Sequence, residues 1–192
     1  MIILREWAMP CAWTFKIKPI KRLLNKYVKD PENWIDPFAG DNSPVKHFTN
    51  DINPNRKSKY HMDALEFCQI ILHGVDNKHC FFSGVIFDPP YSYRQISEHY
   101  KERGKKPTRL DTSSNFYNRV MNAIYNKIIP GGYAISFGWN SNGFGKKRGF
   151  EIIEVLLVAH GGHHNDTIVV VERKMNHTLN FIGRKNNELQ KQ

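Results

Sequence analysis

The chain has 192 residues, with 28 Lys and Arg against 18 Asp and Glu, giving a formal net charge of +10. That length suits one domain with its own core, and 40% apolar residues with 12% aromatics exclude a disordered chain. No apolar run reaches membrane-spanning length, and Arg5, Glu6 and Pro10 interrupt the pattern of a secretion signal, so a cytoplasmic protein with no membrane partner is expected. The basic excess favours a polyanionic partner through counterion release. Cys11, Cys68 and Cys80 are odd in number and lack metal spacing, so reduced thiols and no metal are expected.

In chain order, helical spacing of Ile17, Ile20, Leu23, Leu24, Tyr27 and Val28 predicts a helix over 16–28, ended by Asp30-Pro31. Lys18, Lys21, Arg22 and Lys26 fall off that stripe and read as a solvated face. Residues 34–38 read as a short strand entering the turn Ala39-Gly40-Asp41-Asn42, and residues 47–50 as a second strand ending at Asp51. Met62-Asp63 precedes a helical segment with Ala64, Leu65, Cys68, Ile71 and Leu72 on one side. The nearly continuous apolar run 81–87 predicts a strand buried on both faces of a sheet.

From 93 to 112 the chain is polar and basic, an excursion after that strand. A helix starting near Ser113 or Ser114 carries Phe116, Val120, Met121, Ile124 and Ile128 as its inner stripe, and Pro130-Gly131-Gly132 stops it. Residues 133–137 are another core strand. Residues 150–160 and 167–172 form an antiparallel hairpin around the turn Gly161–Asp166. The polar stretch 174–192 reads as a flexible tail on a single domain spanning 1–173. Strand–helix alternation followed by a hairpin implies a doubly wound, mostly parallel α/β sheet with one antiparallel strand, whose ligands sit at the strands' carboxyl ends.

Three acidic groups fall at such ends. Asp36-Pro37-Phe38-Ala39-Gly40 supplies a tight turn where glycine lets the backbone approach a ligand. Asp51 is placed to accept the ribose hydroxyls of a nucleoside cofactor. Asp88-Pro89-Pro90-Tyr91 combines a carboxylate, carbonyls, two residues without N–H and a stacking ring, which suits a flat substrate that donates two N–H bonds. A proline-rich turn closing a buried strand gives the same four letters. His160, His163, His164 and Asp166 are adjacent rather than ligand-spaced, so no metal site is expected. Trp139–Gly143 reads as a loop beside the pocket or an ordinary connector, and Gly145–Gly149 as a phosphate contact or a solvated turn.

With these residues the chain resembles, over roughly 9–172, the S-adenosylmethionine-dependent amino-methyltransferases, specifically the adenine-N6 DNA methyltransferases of compact phage and prophage type. The resemblance implies a Rossmann-like, class I methyltransferase fold with a seven-stranded sheet, and S-adenosyl-L-methionine as cofactor. It assigns Thr14 and Phe15 to the cofactor's methionine part, and the turn Asp36, Pro37, Phe38, Ala39 and Gly40 to cofactor binding. Asp51 falls to its ribose, with Ile52, Asp63 and Ala64 at its adenine. Asp88, Pro89, Pro90 and Tyr91 become the catalytic corner, transferring methyl to the N6 amine of an adenine flipped out of DNA. Tyr93, Arg94, Arg103, Lys105, Lys106 and Arg109 become contacts to the opened nucleic acid. Where the family has a second glycine after its first turn, this chain has Asp41-Asn42-Ser43, and it has no inserted target-recognition domain. An RNA base-amine methyltransferase and a catalytically idle nucleic-acid-binding module are the alternatives, and either a monomer or a homodimer fits.

Overall fold

The computed structural model describes residues 1–73, 81–90 and 114–176. Tyr91, the basic excursion and most of the polar tail lie outside them. Seven strands make one sheet: β1 (Ile2–Trp7), β2 (Trp34–Asp36), β3 (Phe48–Thr49), β4 (Phe82–Phe87), β5 (Ile128–Gly138), β6 (Phe150–Ala159) and β7 (Thr167–Lys174). Their spatial order is β1-β6-β7-β5-β4-β2-β3. β7 runs antiparallel to both β5 and β6, and the other pairings are parallel. This is the expected α/β sheet with one reversed strand.

Consecutive strand residues feed two separate cores, which explains the apolar runs. Trp34, Ile86 and Ile135 face helix α1 (Lys18–Tyr27), whose Ile20, Leu23 and Leu24 are buried against them. Ile35, Val85 and Ala134 face the opposite layer, where α2 (Ala64–His73) and α3 (Ser114–Ile124) supply Phe67, Cys68, Ile71, Val120 and Ile124. Helices on both faces make β2, β4 and β5 interior strands, so they carry apolar residues at successive positions. None of the described helices is long and apolar enough to cross a membrane.

Two boundaries differ from the sequence reading. α3 ends at Ile124, a short turn spans Tyr125–Lys127, and Ile128 opens β5 opposite Phe82. Ile128 is buried in either role, so the helical stripe ran on by one residue that belongs to the sheet. Pro130-Gly131-Gly132 does not end an element: the β4–β5 register jumps from Phe82–Ile128 to Gly84–Tyr133, and these residues form the bulge. The strand not assigned from sequence is β1. Ile2, Ile3, Leu4 and Trp7 are all exposed there, so it shows no alternation of buried and polar positions.

Trp34 pairs with Gly84 across β2 and β4, and its indole lies over the glycine: a Cβ at 84 would sit 2.5 Å from the ring. Gly84→Ala should therefore destabilise the fold by about 1–3 kcal/mol, the usual cost of overpacking a core, read as a lower urea midpoint. A variant as stable as the parent would show that the indole moves aside freely.

Candidate active site

The chain winds outward from β2 to β3 in one direction and from β4 to β5 in the other, so the crevice between β2 and β4 is the topological switch point of the sheet. Asp36 closes β2, Asp51 follows β3 by two residues, and Asp88 follows β4 directly. A cavity of about 820 Å³ opens at these strand ends, lined by Asp51 on one side and Asp88 on the other.

The turn after β2 is built by backbone capture. Asp36 is fully buried; its carboxyl accepts the Phe38 amide at 3.0 Å and the Ser43 hydroxyl at 2.6 Å. Gly40, at φ +55°, lies in the left-handed region that favours glycine, and nothing stands within 4 Å of where a side chain would grow. Its amide donates to Asp51 at 3.1 Å, while the Asn53 amide holds the other Asp51 oxygen at 2.8 Å. Buried Asn50 ties the turn to the start of α2, donating to the carbonyls of Pro37 and Met62 and accepting the Met62 amide, all at 3.1 Å. Asp63 caps α2 through the Leu65 amide at 2.9 Å.

The segment before α1 is fastened from the far side of the sheet. His160, at the end of β6, meets the Ala8 carbonyl with Nδ1 and the Thr167 hydroxyl with Nε2, both at 2.9 Å. Asp166 accepts the His160 amide at 3.1 Å. His160 thus holds the 160–167 turn against Ala8, and Asp166 closes that turn. Trp13, on the cavity wall, carries the Arg56 guanidinium 5.4 Å and the Lys16 ammonium 5.9 Å from its ring centroid, and Arg56 pairs with Asp41 at 3.1 Å. Phe15 is buried edge-to-face on Phe137 of β5 at 5.4 Å.

Thr14, Phe15, Pro37, Phe38, Ala39, Gly40, Asp51, Ile52, Asp63, Ala64, Asp88, Pro89 and Pro90 all line the one cavity. Asp36 does not; it lies under the turn and shapes it. Ser43, which stands in the stretch lacking a second glycine, is its partner. Tyr91, Tyr93, Arg94, Arg103, Lys105, Lys106 and Arg109 lie outside the described residues. Of the Trp139–Gly143 loop, Trp139 lines the cavity and is half exposed. In the Lys146–Arg148 turn Lys146 and Lys147 are exposed, while Arg148 donates to Asn122 and to the Phe144 carbonyl at 2.8 Å, and to Asn118 at 3.0 Å. Phe116 and Tyr117 also reach the cavity wall from α3, and the Tyr117 hydroxyl donates to the Pro90 carbonyl. Two consecutive aromatics at the start of that helix were the signal available for them in the sequence.

Burial pushes the Asp36 carboxyl up to about 7; its bonds from Ser43 and Phe38 oppose this, and the nearby charges of Asp88 and Asp51 add to it. A carboxyl that ionises near 7 when folded but near about 3.9 when unfolded binds more protons in the folded state between those values. Its contribution to stability is complete at low pH and is lost as pH rises towards 7. Asp36→Asn keeps the shape without the titration, so its stability relative to the parent should rise by more than about 1 kcal/mol between pH 5 and pH 8 in urea unfolding. A difference independent of pH would contradict the burial of an ionisable group there.

No family model and no curated protein matches the chain. Among solved structures it is similar to TrmN from Thermus thermophilus, with 13% identity, a TM-score of 0.51, and coverage of 83% of this chain. The chain spans about half of that protein, 49% of its length. It is also similar to the N-methyltransferase NodS from Bradyrhizobium japonicum WM9, with 11% identity, a TM-score of 0.49, and coverage of 83% of this chain and 94% of that one. At such identities the TrmN likeness concerns the fold, which together with the sheet order is the Rossmann-like fold of class I methyltransferases.

Proposed function

We propose that this chain transfers a methyl group from S-adenosylmethionine to the exocyclic N6 amine of an adenine extruded from DNA. The observation that carries the reading is that Asp51 and Asp88 line a single cavity at the switch point of the sheet. Its volume of about 820 Å³ lies within the range of small-molecule and cofactor sites.

The residues fit the cofactor. Each Asp51 oxygen accepts one backbone amide and keeps a lone pair for a ribose hydroxyl. Open space above Gly40 leaves room for a ligand against the backbone. Thr14, Phe15, Ile52 and Asp63 on the same wall would hold its remaining parts. When bound, S-adenosylmethionine supplies an electrophilic methyl group on a positively charged sulfur. The carboxyl groups of Asp51 and Asp88 on the cavity wall suit a cation there, although the chain as a whole is basic.

The amine is a poor nucleophile because its lone pair is delocalised into the purine ring. Asp88 and the Pro89 carbonyl would accept its two protons, drawing the nitrogen towards tetrahedral geometry and freeing the lone pair. Neither proline has an N–H to compete for these acceptors. Asp88 then stabilises the charge that develops on nitrogen and takes up the proton that leaves. Placement of this kind is worth about 7–11 kcal/mol of barrier, and base assistance adds about 10²–10⁴-fold. Extruding the base costs a few kcal/mol, which the net charge of +10 helps to offset through phosphate contacts.

The test is incubation with methyl-labelled cofactor and unmethylated DNA or RNA, followed by nucleoside analysis. Label is expected in N6-methyladenine from DNA; label confined to RNA or to another base would overturn the substrate assignment. Asp88→Ala should lower the transfer rate by about 10²–10⁴-fold with cofactor affinity nearly intact. Asp51→Ala should weaken cofactor binding by about 10- to 100-fold, the loss of charge-assisted hydrogen bonds. Full activity of the Asp88 variant would remove the chemical role given to that carboxylate.

A further inference from the structure

We infer that Tyr117 is a positioning residue: it selects the carbonyl of the Asp88-Pro89-Pro90 corner that receives the target amine, and it fixes that corner relative to the cofactor turn. The inference rests on the reading of the cavity given above. The corner has an anchoring problem that its own sequence creates. β4 pairs with β5 as far as Phe87 opposite Ser136, and the ladder stops there. Pro89 and Pro90 carry no N–H, so their backbone can be tethered only through carbonyl oxygens. The Tyr117 hydroxyl, from α3, donates to one of these, the Pro90 carbonyl.

That bond leaves the two prolyl carbonyls unequal. The Pro90 oxygen receives the phenol, and the proposed reading gives the Pro89 oxygen, beside Asp88, to the amine proton. The ring of Tyr117 does the second part of the task. It stands edge-to-face to Phe38 at 6.3 Å and to Phe87 at 6.4 Å, and Phe38 stands edge-to-face to Phe87 at 5.3 Å. Phe38 belongs to the same turn as Gly40, whose amide holds Asp51. Three rings therefore bridge the turn that would carry the methyl donor and the corner that would carry the acceptor. Edge-to-face pairs have defined separations, so this bridge holds two loops at a set distance. Methyl transfer needs its reacting atoms about 3–3.5 Å apart, and a misplacement of about 1 Å can cost about 10²-fold.

Tyr117→Phe keeps the ring bridge and removes the tether on Pro90. The single-turnover methylation rate at saturating DNA should fall about 10- to 100-fold, while the Kd for S-adenosylhomocysteine by calorimetry, the half-saturating DNA concentration and the melting temperature stay at parent values. 3-Fluorotyrosine introduced at position 117, which keeps both ring and hydroxyl, should retain the parent rate. An unchanged rate in Tyr117→Phe would overturn the inference. So would a parallel loss of S-adenosylhomocysteine affinity, which would make Tyr117 a general support of the cavity. A parent protein that methylates no nucleic acid would refute the reading of the site itself, a result distinct from an active parent with an equally active Tyr117→Phe.

Discussion

The bond from the Gly40 amide to the Asp51 carboxylate, 3.1 Å long, joins the turn after β2 to the end of β3, and the geometry of the site follows from it. It is possible because Gly40 adopts a left-handed conformation that turns its N–H towards the neighbouring strand. It brings an acidic side chain to the rim of the switch-point crevice, two strands away from Asp88. Three carboxyls crowded at one sheet end would repel one another if all were ionised in a dry setting. The chain relieves this by burying Asp36 under the turn, where its affinity for a proton is raised and its hydrogen bonds are met by Phe38 and Ser43. The remaining two acids face the cavity.

Side chains that touch no ligand keep this arrangement in place. Asn50 closes the loop between β3 and α2 with two bonds to Met62 and ties it to the turn after β2 with a third to Pro37, and His160 clamps Ala8 to the β6–β7 turn. Each replaces backbone pairing where the sheet has ended and the chain must still be held. Loops of the cavity wall are thus held by buried polar side chains and by aromatic contacts.

Much of this was legible in the sequence, because acids at the ends of apolar runs announce the carboxyl edge of a parallel sheet. Gly40, Asp51 and Asp88 were placed on that edge by strand order alone, and they meet in one cavity. Asp36 shows the limit of such reading: the last residue of an interior strand has a buried layer on both sides, and the letters do not tell which way its side chain turns. Ile128 shows another, since a buried isoleucine satisfies a helix stripe and a strand equally. β1 escaped because an exposed edge strand carries no burial pattern. Tyr117 escaped because its role depends on a carbonyl 27 positions away in the chain, and no local spacing encodes that contact.

On the proposed function, the donor and acceptor halves of the reaction occupy one continuous cavity. A bisubstrate ligand, with the N6 of adenosine tethered to a 5′-aza analogue of the cofactor that carries its amino-acid chain, measures this directly by calorimetry. It should bind on the order of 10²-fold more tightly than S-adenosylhomocysteine, through two linked sites, with the added affinity abolished by Asp88→Ala. Binding no tighter than S-adenosylhomocysteine, and indifferent to Asp88, would mean that the two carboxylates serve separate ligands.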